Sequence, residues 1–168
     1  MKIGIVFGTN RNAATAEIVA WMSEYLRSIG HEVVCEKPAD FDRFDCDLYI
    51  LGTAVYMFSA KRTGLTAFIR EHSGRISAGP TALFIVCGSD PLDAGEKGLK
   101  GAMKSLFLNR EKYMASVARL LPTAPIDTAF FKGYQEPDDR AKIDFESQRE
   151  RVPEWCESIL AAAATVGA

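Results

Sequence analysis

Histidine is nearly absent from this chain. His31 and His72 are its only two, and the four cysteines, Cys35, Cys46, Cys87 and Cys156, form no C-x-x-C pair. Structural zinc and iron–sulfur sites need clustered thiolate or imidazole ligands, so no metal site is expected, and the cysteines read as reduced structural residues. The histidines stand alone as well. His31 falls at a helix-to-strand turn and His72 near a helix end, and neither has the partners of a Ser-His-Asp or paired-carboxylate apparatus. Positive charge is not in surplus: 20 Lys and Arg against 22 Asp and Glu leave a net −2. That balance gives no reason to expect nucleic acid or an anionic membrane surface. No apolar run approaches the roughly 20 residues of a spanning helix, and the first residues read as a strand rather than a signal peptide, so a cytoplasmic protein is expected. Also missing are G-x-G-x-x-G and G-x-x-x-x-G-K-[ST], which argues against a dinucleotide or a nucleoside triphosphate as the natural ligand.

What is present is alternation. Apolar runs that read as buried strands recur at Ile3 to Phe7, Glu32 to Glu36, Leu48 to Thr53, Thr81 to Cys87 and Asp127 to Lys132, with helical spacing between them. This pattern predicts an α/β domain with a parallel sheet covered on both faces. At 168 residues and 48% apolar content, one domain spanning 1–168 is expected. A first helix from about Thr15 to Ile29 places Ala16, Val19, Ala20, Met22, Tyr25 and Leu26 at helical spacing and stops at Gly30, a residue suited to a left-handed cap. A second covers Lys61 to His72, with Leu65, Phe68 and Ile69 inward. A long helical region runs from about Glu96 to Leu121 with a break near Asn109. The last helix extends from Asp138 or Arg140 to Ala164, with Pro153 expected to kink or split it.

The first strand runs into a polar loop, Gly8-Thr9-Asn10-Arg11-Asn12-Ala13-Ala14-Thr15, and then a helix. The unpaired N–H groups of a helix start, beside hydroxyl and amide side chains, form a cradle for an anion, and a hydroxyl-rich loop suits a phosphate monoester. In an open parallel sheet, ligands bind beyond the carboxyl ends of the strands, where strand order reverses. The loops after strands one, three and four therefore line the site. The second of these carries Thr53-Ala54-Val55-Tyr56-Met57-Phe58. Its aromatics either cover an edge of the core or form a stacking platform for a planar group attached to the phosphate. The third, from Cys87 through Gly88, Ser89 and Asp90, offers backbone N–H groups and polar side chains to a heterocycle edge, although Asp90 also suits a turn.

Ile5-Val6-Phe7-x-Thr9 followed by Thr15, Gly52-Thr53-Ala54-Val55-Tyr56-Met57 with Phe68 beyond it, and the late Ala129-Phe130-Phe131-Lys132-Gly133 together resemble the flavodoxin-like family of FMN-binding proteins. The resemblance covers nearly the whole chain, and the second block is similar to the subgroup that includes menaquinone-dependent protoporphyrinogen dehydrogenases. It implies a three-layer sandwich with a five-stranded parallel sheet in the order 2-1-3-4-5, and FMN as cofactor. Thr9, Asn10, Arg11, Asn12, Ala13, Ala14 and Thr15 would hold the phosphate. Thr53, Ala54, Val55, Tyr56, Met57 and Phe58, with Cys87, Gly88, Ser89 and Asp90, would flank the ring system. Two departures stand out: the phosphate loop is one residue longer than usual, with Ala13 and Ala14 where glycine is common, and Thr53 to Thr63 contains no glycine. A non-glycine residue costs about 1–2 kcal/mol in a left-handed conformation, so a peptide flip beside a one-electron-reduced flavin is harder here, which favours two-electron traffic.

The resemblance implies an electron-transfer flavoprotein working with a redox partner protein. An alternative is an FMN-dependent oxidoreductase acting on a quinone or porphyrinogen, with the segment after strand four as a substrate wall. A phosphate-sensing receiver module needs a carboxylate at the end of the third strand, where this chain has Gly52-Thr53. Asp40, Asp42, Asp45 and Asp47 would steer a basic partner if they clustered on one face. Oligomeric state is left open by the sequence.

Overall fold

The computed structural model describes residues 1–9, 13–55, 63–76, 79–87, 110–134, 138, 140–141 and 144–166. Its elements in chain order are β1 (Lys2–Gly8), α1 (Ala13–Ser28), β2 (Glu32–Glu36), β3 (Leu48–Ala54), α2 (Leu65–Ile76), β4 (Thr81–Cys87), α3 (Arg110–Ala118), β5 (Asp127–Lys132) and α4 (Ser147–Val166). The strands form one parallel sheet in the order β2-β1-β3-β4-β5, as the resemblance implied. Strands β3 and β4 lie inside the sheet with helices on both faces, and this is why they are almost continuously buried and read as unbroken apolar runs.

Alternate side chains serve two cores. Ile3, Ile5, Ile50 and Phe84 face α1 and α4, where Ile18, Met22, Leu26, Trp155 and Ile159 meet them. Val6, Leu51, Leu83 and Ile85 face α2 and α3, meeting Leu65, Phe68, Ile69 and Val117. Gly52 marks the tightest point of the sheet: it pairs with Phe84 across the ladder, and a Cβ added there would lie 1.9 Å from that ring. Phe84 is itself walled by Phe131 and Trp155, each in edge contact at 6.0 Å.

Several helix boundaries differ from the sequence reading. Helix α1 starts at Ala13 and buries Ala14, Thr15, Ile18, Val19, Met22, Ser23 and Leu26, whereas Ala16 and Ala20, expected inward, are exposed. The larger Ile18 sets the buried stripe and turns the small alanines outward. The expected stop does occur at Gly30 (φ 90°), where the His31 N–H donates to the Leu26 carbonyl and the Gly30 N–H to that of Arg27, a Schellman closure. Helix α2 begins only after Thr63 and Gly64 and runs on to Ile76. The stretch 110–118 is helical and ends before Leu121, in turns in which Leu120 and Leu121 donate to Val117 and Ala118; the expected helix over 96–109 lies outside the described residues. The last helix starts at Ser147, because 140–141 and 144–146 are turns, with Asp144 left-handed (φ 49°). Pro153 does not split that helix. A mid-helix proline costs about 3 kcal/mol, and burial of Val152, Trp155, Cys156 and Ile159, at about 1.5–3 kcal/mol for each large apolar side chain, outweighs it.

Candidate functional site

Strand order reverses at β1 and β3, so the crevice beyond their carboxyl ends is where a ligand fits. Gly8 and Thr53 are ladder partners at that edge. Above them sits Thr63, from the turn that precedes α2: its hydroxyl pairs with that of Thr53 at 2.6 Å, and both residues are buried. A Cβ on Gly8 would stand 2.5 Å from Thr63 Oγ1 and 2.7 Å from its backbone oxygen. The residues 53 and 63 thus close the neck of the loop between them, and glycine is required at position 8 for Thr63 to settle over β1. The next strand ends continue the platform. The Val55 N–H donates to the Val86 carbonyl and the Gly133 N–H to that of Cys87, and Val55 and Cys87 remain partly exposed.

Thr15 lies in the first turn of α1. It is fully buried, and its Oγ1 has no hydrogen-bond partner. A buried hydroxyl left unpaired costs about 1–3 kcal/mol, so this position asks for an acceptor that the described residues do not provide. A phosphate at the helix start would serve as the acceptor for that hydroxyl, at the end of the helix that attracts an anion.

Two positions after Thr15, on another face of α1, Glu17 is held by two groups from the other end of the chain. Tyr134, just after β5, donates its hydroxyl to Glu17 Oε1. Arg140 Nη1 lies 2.9 Å from Glu17 Oε2, and the same guanidinium bonds Glu146. Burial, reinforced by the bond to Glu17, raises the Tyr134 phenol above its ordinary pKa, and the bond to Glu146 raises that of Arg140.

The structure thus brings Thr9, Ala14, Thr15, Thr53, Ala54, Val55 and Cys87 to one edge of the sheet. Among these, Ala14, Thr15, Thr53 and Ala54 are fully buried, and the Thr53 hydroxyl is engaged by Thr63. Asn10, Arg11, Asn12, Tyr56, Met57, Phe58, Gly88, Ser89, Asp90 and the Ala13 side chain lie outside the described residues. Thr63, Glu17, Tyr134 and Arg140 were not anticipated. Thr63 had a local signal, a hydroxyl residue two positions ahead of an apolar helical stripe; the Glu17–Tyr134 pair, separated by 117 residues, had none.

The aspartates 40–47 do not form a steering face at this site. Asp45 lies 2.5 Å from the Lys2 ammonium and Asp47 accepts from the Lys2 N–H at 2.7 Å, at the start of β1 and so at the opposite end of the sheet. Asp42 pairs with Arg43. The hydrogen bond from Lys2 holds the Asp45 carboxyl below its ordinary pKa. The histidines are packed elsewhere: His72 lies between Phe44 and Phe68, 4.9 Å from each ring, and His31 closes α1 with its Nδ1 3.4 Å from the terminal amine. All four cysteines are free thiols. No metal-binding cluster occurs among the described residues, and none of their helices is long and apolar enough to cross a membrane.

No curated protein matches the chain. Among solved structures it is similar to a flavodoxin of Streptococcus pneumonia TIGR4, with a TM-score of 0.61 at 13% identity over 96% of this chain and 99% of that one. A cysteine-to-serine mutant of flavodoxin from Pseudomonas aeruginosa gives 0.65 at 12% identity over 98% and 99%. An NADH:FMN oxidoreductase in its apo form gives 0.54 at 16% identity over 92% and 87%. These likenesses establish the fold. A family model described as "Flavodoxin domain" matches residues 5–135, most of the chain, and the chain therefore belongs to the flavodoxin-domain family.

Proposed function

We propose that this protein binds FMN at the carboxyl edge of its sheet and works as a flavodoxin-type electron carrier. The observation that carries the reading is Thr15 Oγ1, buried and unpartnered in the first turn of the helix that follows β1. Such a hydroxyl fits a phosphate oxygen, and the family membership supports a flavin as the molecule that carries the phosphate. In this reading Thr9 to Thr15 hold the phosphate, with Arg11 adding a charge-assisted contact, and Val55 to Phe58 and Cys87 to Asp90 flank the ring. Bound FMN supplies the redox chemistry. The chain supplies the cradle, an edge of buried backbone that excludes water, and the Thr53–Thr63 tie that holds the neck of the flanking loop. The proposal includes a cytoplasmic setting and a redox partner protein or small quinone-like molecule as the other party to the transfer.

The finer kinship with menaquinone-dependent protoporphyrinogen dehydrogenases, suggested by Gly52 to Met57, belongs to the same proposal as its enzymatic variant. A stepwise anaerobic reduction of the FMN-incubated protein, followed by absorbance, tests both. Flavin bands that pass through a persistent one-electron stage support the carrier. Bands that bleach in a single stage support direct two-electron work on a quinone or porphyrinogen. No flavin bands after incubation and desalting would overturn the cofactor assignment.

A further inference from the structure

We infer that Arg140, together with Tyr134, is a positioning residue for the phosphate end of the site: it holds and neutralises Glu17, so that the first turn of α1 accepts a phosphorylated flavin. The inference rests on the FMN reading above and concerns groups that reading does not use.

The first turn of a helix attracts negative charge of any origin, a ligand phosphate or an acidic side chain. Glu17 stands four residues after the start of α1, about 6 Å along the axis at 1.5 Å per residue. That axial rise is below the Debye length of about 8 Å at physiological ionic strength, so a free charge there is felt at the helix start. Left free, its carboxylate would compete for the helix start and repel a phosphate dianion. The fold prevents both. Each Glu17 oxygen has its own donor: the Tyr134 hydroxyl takes Oε1, and Arg140 Nη1 takes Oε2 at 2.9 Å. The donors are themselves held. Tyr134 is only 5% exposed and packs edge-on against Phe145 at 4.9 Å. Arg140 lies 5.3 Å from the Phe145 ring and is anchored on Glu146.

The clamp also joins α1 to Tyr134, just after β5, and to Arg140, ahead of α4, and so holds the first part of the helix from outside its own loop. Its electrostatic part distinguishes it from a simple brace: with Arg140 in place, the Glu17 carboxylate is paired with a cation that it shares with Glu146, and without it that compensation near the helix start is lost.

The test is the affinity of the full-length protein for FMN and for riboflavin, which lacks the phosphate, read by quenching of flavin fluorescence, with thermal melting of each variant as the control for folding. Arg140→Gln should weaken FMN about fivefold, the size expected for one uncompensated charge at this separation in a solvated site, and leave riboflavin unchanged. Arg140→Lys should restore most of the FMN affinity. Adding Glu17→Gln to Arg140→Gln should restore it too, because the repelling charge is gone; a role limited to bracing would predict a further loss. High salt should shrink the FMN deficit. Should Arg140→Gln melt early, Glu17→Gln alone keeps the test: with the carboxylate gone and Arg140 in place, FMN should bind at least as tightly as to the wild type, and a selective loss of FMN affinity would overturn the inference. Equal weakening of both flavins, or unchanged FMN affinity in Arg140→Gln, would overturn the inference while leaving the FMN reading intact. A wild-type protein that binds neither flavin would overturn both.

Discussion

Replacing Thr15 by valine removes the unpartnered hydroxyl and keeps the shape of the side chain. In the flavin-free protein the hydroxyl is fully buried with no acceptor, a condition that costs about 1–3 kcal/mol. Threonine and valine have nearly the same helix propensity, so Thr15→Val should raise the stability of the flavin-free protein by about 1 kcal/mol. The opposite holds for the flavin-bound form. A hydrogen bond to a charged phosphate contributes about 1.5–3 kcal/mol, so its loss weakens FMN binding by about 10- to 150-fold. The two effects make the order of stability invert. At an FMN concentration about 100 times the wild-type Kd, ligand stabilises the wild type by about 2.7 kcal/mol, while a variant with a 100-fold weaker Kd gains about 0.4 kcal/mol. Urea unfolding followed by far-ultraviolet circular dichroism, with and without FMN, reads all four values. The variant should be the more stable protein without FMN and the less stable one, by about 1.3 kcal/mol, with it. Thr15→Ser, which keeps the hydroxyl, should bind FMN much as the wild type does. A Thr15→Val protein that is less stable by 1 kcal/mol or more without ligand, or one that FMN stabilises as strongly as the wild type, would refute the reasoning.

Three further perturbations follow from the packing and titration of the chain. Gly52→Ala places a Cβ within 1.9 Å of a Phe84 ring that Phe131 and Trp155 confine, and should cost about 3 kcal/mol in urea unfolding, the upper range for overpacking. Combined with Phe84→Leu it should cost clearly less than the sum of the singles; additivity within about 0.5 kcal/mol would show that the ring is not the obstacle. Gly30→Ala meets no atom within 4 Å, so only the backbone at φ +90° resists it. The expected loss is about 1–2 kcal/mol, about half of it recovered by Asn, and an unchanged melting temperature would count against the cap. Burial raises the Cys156 thiol to about 12. An unfolded thiol ionises near 8.5–9, so this contribution is intact below about pH 9 and is lost as pH rises toward 12. The native state should lose about 2 kcal/mol from this source by about pH 10.5, and Cys156→Ala should show a shallower alkaline slope. An unaltered slope would assign the loss to other groups with raised pKa values, such as Cys46 or Tyr134.

The sheet was most readable in its inner strands, which are buried on both faces. Thr81–Cys87 runs as expected from end to end, since there apolar side chains must fill both pleats and the run ends where burial ends; Asp127–Lys132, an edge strand only partly buried, also keeps its expected bounds. Helices report only one buried stripe, so their phase and ends are less certain: Ala16 and Ala20 fit the period of α1 as well as Ile18 does, and only the packing of the larger side chain decides between them. The site divides along the same line. Thr15 and Thr53 were identifiable from their place after strands, but what distinguishes them is a pairing relation. The Thr53 hydroxyl is joined to Thr63, while that of Thr15 is joined to nothing. The aspartates 40–47 show the converse, because a run of acidic residues looked like a surface field until Lys2, 43 residues from Asp45, was found to neutralise part of it at the far end of the sheet. Local pattern encodes how deep a residue lies, since depth repeats along an element with a fixed period. Partnership between polar groups has no period, and in the Glu17–Tyr134–Arg140 clamp it spans nearly the whole chain. The surroundings of Glu17 near the start of α1 are therefore set by residues whose relevance to that helix exists only once α4 has packed against it.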